Sequence, residues 1–155
     1  GFVCTNWRGS APECRIMDTH WIGGGGDDLD VALVSRAFTR KAESLRADAK
    51  CTVCYHDPRD GGNNGYVALS GCAREVPATS GERQRLWKDT WGFFHPSPHS
   101  EEVVVWHFVP LRAEVVSHDD YLKDDWAPVT MRRSGEGSPW ELQPMGRRRA
   151  EPGHT

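Results

Sequence analysis

Apolar and polar positions alternate, or run apolar, along seven segments of the chain, and turn-forming Gly, Pro, Asn and Asp residues separate them. The segments are enriched in β-branched and aromatic residues, a combination that favours strands over helices. They span residues 1–7, 13–22, 29–35, 50–57, 65–76, 102–109 and 111–118. Seven strands joined by short turns predict an antiparallel β-barrel.

Two further segments carry helical signals. Thr39 is a candidate N-cap for a helix over residues 40–48. Ser80, with Glu82 and Gln84 after it, predicts the start of a second helix that continues to about residue 93. Two helices beside seven strands predict a mainly β or α+β fold.

The last part of the chain has a different character from the rest. After Tyr121 it contains four prolines and four glycines and shows neither a helical nor a strand period. We therefore divide the chain into a barrel domain, residues 1–120, and an extended tail, residues 121–155. Trp126 and Trp140 predict that parts of this tail pack on the barrel or on a protein partner. Arg147 to Arg149 are interpreted as solvated charges rather than as an anion-binding surface.

Composition limits the classes of protein that fit. A length of 155 residues with 37% hydrophobic content suits one domain, and a net charge of −3 argues against a general nucleic-acid binder. No run approaches the roughly 18 to 20 apolar residues of a transmembrane segment. Because the first residue is Gly rather than Met, we interpret it as a processed terminus, which leaves the compartment open.

The five cysteines and seven histidines do not predict a metal site. Cys51 and Cys54 have the CxxC spacing, but residues three apart on a strand point to opposite faces. Cys4, Cys14 and Cys72 are expected to be small buried side chains. The odd count favours a reducing compartment, such as the cytoplasm or an organelle matrix or stroma. His95 and His99 are separated by prolines and are expected on a surface loop.

The strongest candidate chemistry lies where an apolar strand meets the first predicted helix. Ser35, Arg40 and Lys41 place a hydroxyl group and two adjacent cations there. Arginine, lysine and the free N–H groups of a helix start are all suited to binding phosphate. Arg15, on a separate predicted strand, is able to reach the same point. The alternative interpretation of these residues is a solvated, charged turn.

Six short motifs follow one another in the order in which a known family has them. They are Gly1 to Thr5, Arg15-Ile16-Met17, Arg40-Lys41, the pair formed by Tyr55-His56-Asp57-Pro58 and Gly65 to Ala73, Leu86-Trp87, and Phe94-His95-Pro96. Over residues 1 to about 118 the chain resembles the pyridoxamine 5′-phosphate oxidase-like superfamily of FMN-binding split barrels, in particular its general stress protein 26-like branch. The resemblance implies a split β-barrel flanked by two or more helices.

The same resemblance implies a cofactor and a set of residues that bind it. The expected cofactor is FMN, with FAD and haem less favoured, bound at the interface of a homodimer. The implied contacts are Arg15, Arg40 and Lys41 to the phosphate, Ser35 as a hydrogen-bond donor, Met17 and Val34 beside the isoalloxazine ring, and Tyr66 in the same pocket. The implied function is that of an FMN-binding oxidoreductase-like protein whose substrate is unassigned. No residue is a clear general acid or base.

Three departures from the family pattern leave an alternative open. His20 replaces a lysine of the pyridoxamine phosphate oxidases, Phe38 replaces a small polar residue, and Val115-Val116-Ser117 lacks an aromatic residue. The alternative is a catalytically silent barrel that serves as a structural subunit of a larger assembly and contacts its partner through the tail. A flavin or haem carrier without turnover is a third, lesser possibility.

Overall fold

A computed structural model describes residues 1–7, 11–23, 28–58, 64–122 and 127–144 of the chain. These residues form nine strands, three α-helices and one 3₁₀ helix, Asp89–Phe93. The strands are β1 (Phe2–Thr5), β2 (Glu13–Ile16), β3 (Thr19–Trp21), β4 (Val31–Arg36), β5 (Lys50–His56), β6 (Gly65–Val76), β7 (Val103–Ser117), β8 (Val129–Arg132) and β9 (Glu141–Gln143). The helices are α1 (Arg40–Ala47), α2 (Gly81–Leu86) and α3 (His118–Tyr121).

All the strands pair antiparallel in one sheet with the order β2-β1-β5-β6-β7-β4-β3, and β8 and β9 continue from β7. The two long central strands, β6 and β7, pair along nearly their whole length. The first half of β7 pairs on its other side with β4, and the second half pairs with β8. This division is consistent with a split barrel, so the predicted fold class is confirmed.

Two predicted strand boundaries differ from the structure. The segments predicted at 102–109 and 111–118 form the single strand β7, which passes through Pro110 at an irregularity opposite Gly71. The segment predicted at 13–22 instead breaks at Met17 and Asp18 into β2 and β3, which lie at opposite ends of the strand order. A period of two does not reveal which neighbour each half pairs with, and pairing decides where a strand ends.

Part of the predicted tail belongs to the sheet. β8 pairs with β7 through Val115↔Val129 and its neighbours, and β9 pairs with β8. Arg133 is buried, and its guanidinium lies 4.9 Å from the centre of the Trp140 ring. Trp140 packs against the core, as expected, whereas Leu142 is exposed. Arg147 to Arg149 and Trp126 lie outside the described residues.

The two predicted helix starts have different capping chemistry. Ser80 is the N-cap of α2 and accepts a hydrogen bond from the backbone N–H of Glu82 at 3.1 Å, as predicted. Thr39 precedes α1, but its hydroxyl does not cap the helix and instead donates to the carbonyl of Arg36 at 2.9 Å. This hydrogen bond closes the turn between β4 and α1, and the start of α1 has no side-chain cap from Thr39.

Two hydrophobic clusters lie on opposite faces of β4. Val31 and Leu33 pack with Leu45 of α1 inside the barrel. Ala32 and Val34 point the other way and pack under α2 and the 3₁₀ helix, in a cluster that includes the fully buried Trp91. Because successive residues of a strand face opposite sides, β4 holds α1 on one face and α2 on the other.

The cysteines are free, and two of them differ from expectation. Cys51 is buried, but Cys14 and Cys72 are exposed and Cys4 is partly exposed, so the prediction of buried side chains is wrong for Cys14 and Cys72. Both lie on the outward face of their strands, opposite the core. Within the part of the chain that the structure describes, no helix is long and apolar enough to cross a membrane.

Candidate functional site

The structure brings Arg15, Arg40 and Glu13 into one hydrogen-bonded cluster. Glu13 and Arg15 lie on the inward face of β2, where Arg15 is directly opposite the buried Val3 of β1. Arg40, the first residue of α1, donates from Nη1 to Glu13 Oε1 at 2.9 Å. Arg15 Nη2 donates to the other oxygen, Oε2. Together these hydrogen bonds lower the pKa of Glu13, which stays ionised between the two guanidinium groups.

Lys41 adds a third cation to this cluster. Burial and the nearby positive charge of Arg15 lower the pKa of Lys41, so the protonated amine is held where it is disfavoured. Among the described residues, none forms a hydrogen bond or ion pair with Lys41. We call Glu13, Arg15, Arg40 and Lys41 the basic cluster. It contains three positive charges and one negative charge.

Two buried polar atoms, one in the basic cluster and one on β4, have no hydrogen-bond partner. One is Arg15 Nη1, and the other is the hydroxyl of Ser35 near the end of β4. Ser35 is 2% exposed and lies on the face of β4 that packs towards α1. A buried donor without an acceptor costs about 1–3 kcal/mol, so such atoms mark positions suited to an absent ligand group.

The other predicted contacts are not gathered at the basic cluster within one chain. Val34 faces away from Ser35 and packs in the Trp91 cluster. Met17 lies just after β2, but its side chain is 4% exposed and belongs to the core. Its backbone is fixed by hydrogen bonds with Gly1, from Met17 N to Gly1 O at 2.9 Å and from the amino terminus to Met17 O at 3.0 Å.

Tyr66 lies farther away, at the beginning of β6 and on the outward face of the sheet. Strands β1 and β5 separate β6 from β2, which carries Arg15. The Tyr66 hydroxyl donates to Glu114 Oε1 at 2.6 Å, and its ring lines a shallow cavity of about 280 Å³ with Tyr55 and Val116. Within one chain, Tyr66 is therefore separated from the basic cluster by two strands.

The structure places His95 and Arg36 close to the basic cluster, a position that the sequence analysis did not predict for either residue. Burial lowers the pKa of His95, and the positive charges of Arg36 and Lys41 lower it further, so the imidazole lies close to both cations. Its Nδ1 atom is buried without a partner. Arg36 is held by the Phe94 carbonyl at 2.9 Å and by Glu102 at 3.2 Å. In the sequence, His95 belonged to the Phe94-His95-Pro96 motif of the family resemblance, and the prolines between it and His99 predicted a surface loop.

No protein-family model and no curated protein matches the chain. Solved structures do match. One is a protein from Clostridium acetobutylicum related to general stress protein 26 of Bacillus subtilis, with a TM-score of 0.64 and 16% identity over 84% of this chain and 83% of that chain.

Two other structures extend the comparison. A pyridoxamine 5′-phosphate oxidase-related, FMN-binding protein from Nostoc punctiforme has a TM-score of 0.63 and 10% identity over 92% of this chain and 84% of that one. A haem-binding protein from Mycobacterium smegmatis has a TM-score of 0.57 and 13% identity over 75% of this chain and 48% of that one. The split-barrel fold that the sequence resemblance implies is thereby confirmed. The chain has the fold of the pyridoxamine 5′-phosphate oxidase-like split barrels.

Proposed function

We propose that this protein binds FMN, with the phosphate held by Arg15 and Lys41 at the basic cluster, and acts as an oxidoreductase-like flavoprotein. The observation that carries the proposal is the buried, unpartnered Arg15 Nη1 beside Lys41, which has no acidic partner among the described residues. A phosphate group supplies the acceptor oxygens and the negative charge that these two side chains lack.

The residues around the cluster have distinct roles in this proposal. Glu13 orients the guanidinium of Arg15 by binding Nη2, which leaves Nη1 free for the ligand. Arg40 is more exposed, at 61% of its side chain, and contributes charge from the rim. The Ser35 hydroxyl, which has no acceptor within the chain, is available to donate to the ligand. Bound FMN supplies hydride or electron transfer, while the protein orients the ring and excludes water.

The proposed site is completed by a second copy of the chain. Phe2 and Ile16 are directly paired on β1 and β2, and both side chains are exposed on the outward face. Phe38, Phe93 and Phe94 are also exposed, by 76%, 84% and 71%. The adjacent, exposed side chains of Phe2 and Ile16 favour an interface between protein chains. A homodimer covers them and brings residues such as Tyr66 of one copy towards the basic cluster of the other.

FMN and riboflavin together test the phosphate assignment, because riboflavin has the same ring and lacks the phosphate. We expect the purified protein to quench FMN fluorescence saturably and to bind FMN more tightly than riboflavin. The double variant Arg15→Gln/Lys41→Gln removes two charge-assisted contacts, each worth about 1.5–3 kcal/mol. Each contact therefore contributes roughly ten- to 150-fold in Kd.

The control is Lys50→Gln, which removes an exposed cation on β5 outside the basic cluster. This variant should retain the preference for FMN over riboflavin. Equal binding of both flavins to the unaltered protein would refute the phosphate site. Unchanged FMN affinity in the double variant would place the phosphate elsewhere.

A further inference from the structure

A second polar site lies on the other face of β4, away from the basic cluster. A cavity of about 560 Å³ opens there between β3, β4, β6, β7 and α2. Asp30 precedes β4, and His107 lies on β7 opposite Arg74 of β6. Glu82 comes from α2, and Glu136 comes from the turn after β8. Their sequence positions are far apart, so only the folded sheet brings them together.

Three of these side chains are arranged as a set of metal ligands. One ligand atom each from Asp30, His107 and Glu136 lies within 4.8 Å of the other two. Asp30 is 3% exposed and His107 is 8% exposed, whereas Glu136 is exposed at the mouth of the cavity. His107 Nε2 lies 2.8 Å from Asp30 Oδ2.

The surrounding charges leave these ligand atoms available. Arg133 binds the other oxygen of Asp30, Oδ1, at 2.5 Å. Arg74 pairs with Glu82 and also donates to His107 Nδ1 at 2.6 Å. Neither arginine therefore binds Asp30 Oδ2 or His107 Nε2, the two ligand atoms that face each other. Four carboxylates line the cavity, those of Asp28, Asp30, Glu82 and Glu136. The guanidinium groups of Arg74 and Arg85 also line it. Arg133, bonded to Asp30, adds a third guanidinium group behind the lining.

An internal ion-pair network does not account for all of this arrangement. Glu136 is attracted at longer range by Arg74 but forms no hydrogen bond or ion pair among the described residues, and its carboxylate lies beside His107 and Asp30. Its turn has a fixed shape, since Gly137 has a φ of +70° and the Ser134 hydroxyl donates to that of Ser138 at 3.1 Å.

We propose that Asp30, His107 and Glu136 bind a divalent transition-metal ion. One imidazole nitrogen and two carboxylates suit ions such as Mn²⁺, Fe²⁺ and Zn²⁺. The ion replaces the proton between His107 Nε2 and Asp30 Oδ2, and the imidazole proton moves to Nδ1. Protonated Nδ1 no longer accepts from Arg74 Nη2, which moves away while Arg74 Nη1 keeps its hydrogen bond to Glu82 Oε2 at 2.9 Å. Glu82 Oε1, 3.1 Å from Nδ1, then accepts the hydrogen bond that orients the metal-bound histidine. The remaining coordination positions face the cavity.

Mn²⁺ is the probe that best tests this site, because the five cysteines compete for softer ions such as Zn²⁺. Titration followed by the loss of the free Mn²⁺ electron paramagnetic resonance signal should give one bound ion per chain. Glu136→Gln removes an exposed ligand without disturbing the core. Glu82→Gln changes the orienting group and the salt bridge to Arg74 but no direct ligand, and loss of an orienting group costs about 10- to 100-fold in metal affinity. Loss of the direct ligand Glu136 should cost at least as much.

The matched control is Glu101→Gln, an exposed glutamate in the turn before β7, which should bind Mn²⁺ like the unaltered protein. The Co²⁺ absorption spectrum gives a second readout, since nitrogen and oxygen ligands produce no thiolate charge-transfer band. The proposal is overturned if Mn²⁺ fails to bind up to millimolar concentration, if Glu136→Gln binds it normally, or if Co²⁺ shows thiolate ligands. FMN affinity should be the same in Glu136→Gln as in the unaltered protein.

Discussion

Lys41 is placed where its own charge is unfavourable. It is partly buried and lies beside the guanidinium of Arg15, and both effects lower its pKa. A residue kept in such a position destabilises the protein unless an anion compensates it. Function and stability therefore oppose each other at this residue, as they often do at binding sites.

Lys41→Met is expected to stabilise the ligand-free protein by up to about 1 kcal/mol while weakening FMN binding. The side chain keeps its length and loses its charge. Thermal unfolding and FMN titration of the same preparations measure the two effects. Lys50→Met changes an exposed lysine outside the basic cluster and should alter neither quantity appreciably. A destabilised, FMN-binding Lys41→Met protein would contradict this account.

The pH dependence of that stabilisation has a defined sign. Because the pKa of Lys41 is lowered in the folded state, the unfolded chain binds more protons between the folded pKa and the ordinary lysine value of about 10.4. Stability of the unaltered protein therefore gains from this group as pH rises through that window. The gain in stability from Lys41→Met should be full at neutral pH and should shrink as the pH approaches the ordinary pKa of lysine.

At the scale of elements, the β6–β7 pair determines the shape of the barrel. The register shifts between Ser70 and Gly71, at the point where Pro110 faces β6. A Cβ atom on Gly71 would lie 2.1 Å from the Val109 carbonyl oxygen and 2.6 Å from the Pro110 Cα. Glycine is required here by close approach of the two backbones rather than by its φ angle.

Gly71→Ala should destabilise the fold by about 1–3 kcal/mol, because the backbone of β7 has to move to make room. Gly92→Ala is the matched control, since a Cβ at Gly92 meets no atom within 4 Å. Urea unfolding of both variants measures the difference. Equal urea midpoints for the two variants would show that β6 and β7 move apart at Gly71 without a loss in the free energy of unfolding.

Some elements were predictable because their signals are local. Ser80 and Glu82 define the start of α2, and the alternation of residues 65–76 gives the bounds of β6. The interruption at Met17 was not predictable, since β2 and β3 each continue the same alternation but pair with different strands. Pro110 predicted a break that the structure resolves as an irregularity within one strand, because the missing N–H falls where pairing is already shifted.

At the scale of the whole molecule, the two candidate sites also differ in how far the sequence predicts them. The sequence predicted that Arg15 on one strand and Arg40 at a helix start approach the same point, but it did not single out Glu13, which joins the two guanidinium groups. The contact of Asp30 with His107 joins residues 77 positions apart, and His107 lies inside a run of core residues. Only the pairing of β4 with β7 brings those two side chains together.

Assembly is the remaining property of the whole molecule, and Ile16 is the residue that tests it. Its side chain is 76% exposed beside Phe2, on the outward face of the strand that carries Arg15. Ile16→Arg places a charge in the proposed interface, and its positive sign does not repel the phosphate of FMN. We expect light scattering to show a dimer for the unaltered protein and a folded monomer for this variant.

The same variant separates the dimer from the site. If the second copy completes the flavin pocket, Ile16→Arg should bind FMN more weakly although Arg15 and Lys41 are intact. Leu142→Arg is the control, since Leu142 is 71% exposed on β9 at the far side of the sheet. A monomeric variant with unchanged FMN affinity would show that one chain binds the flavin alone. A monomeric unaltered protein would refute the interface, because no second copy of the chain would then cover Phe2 and Ile16.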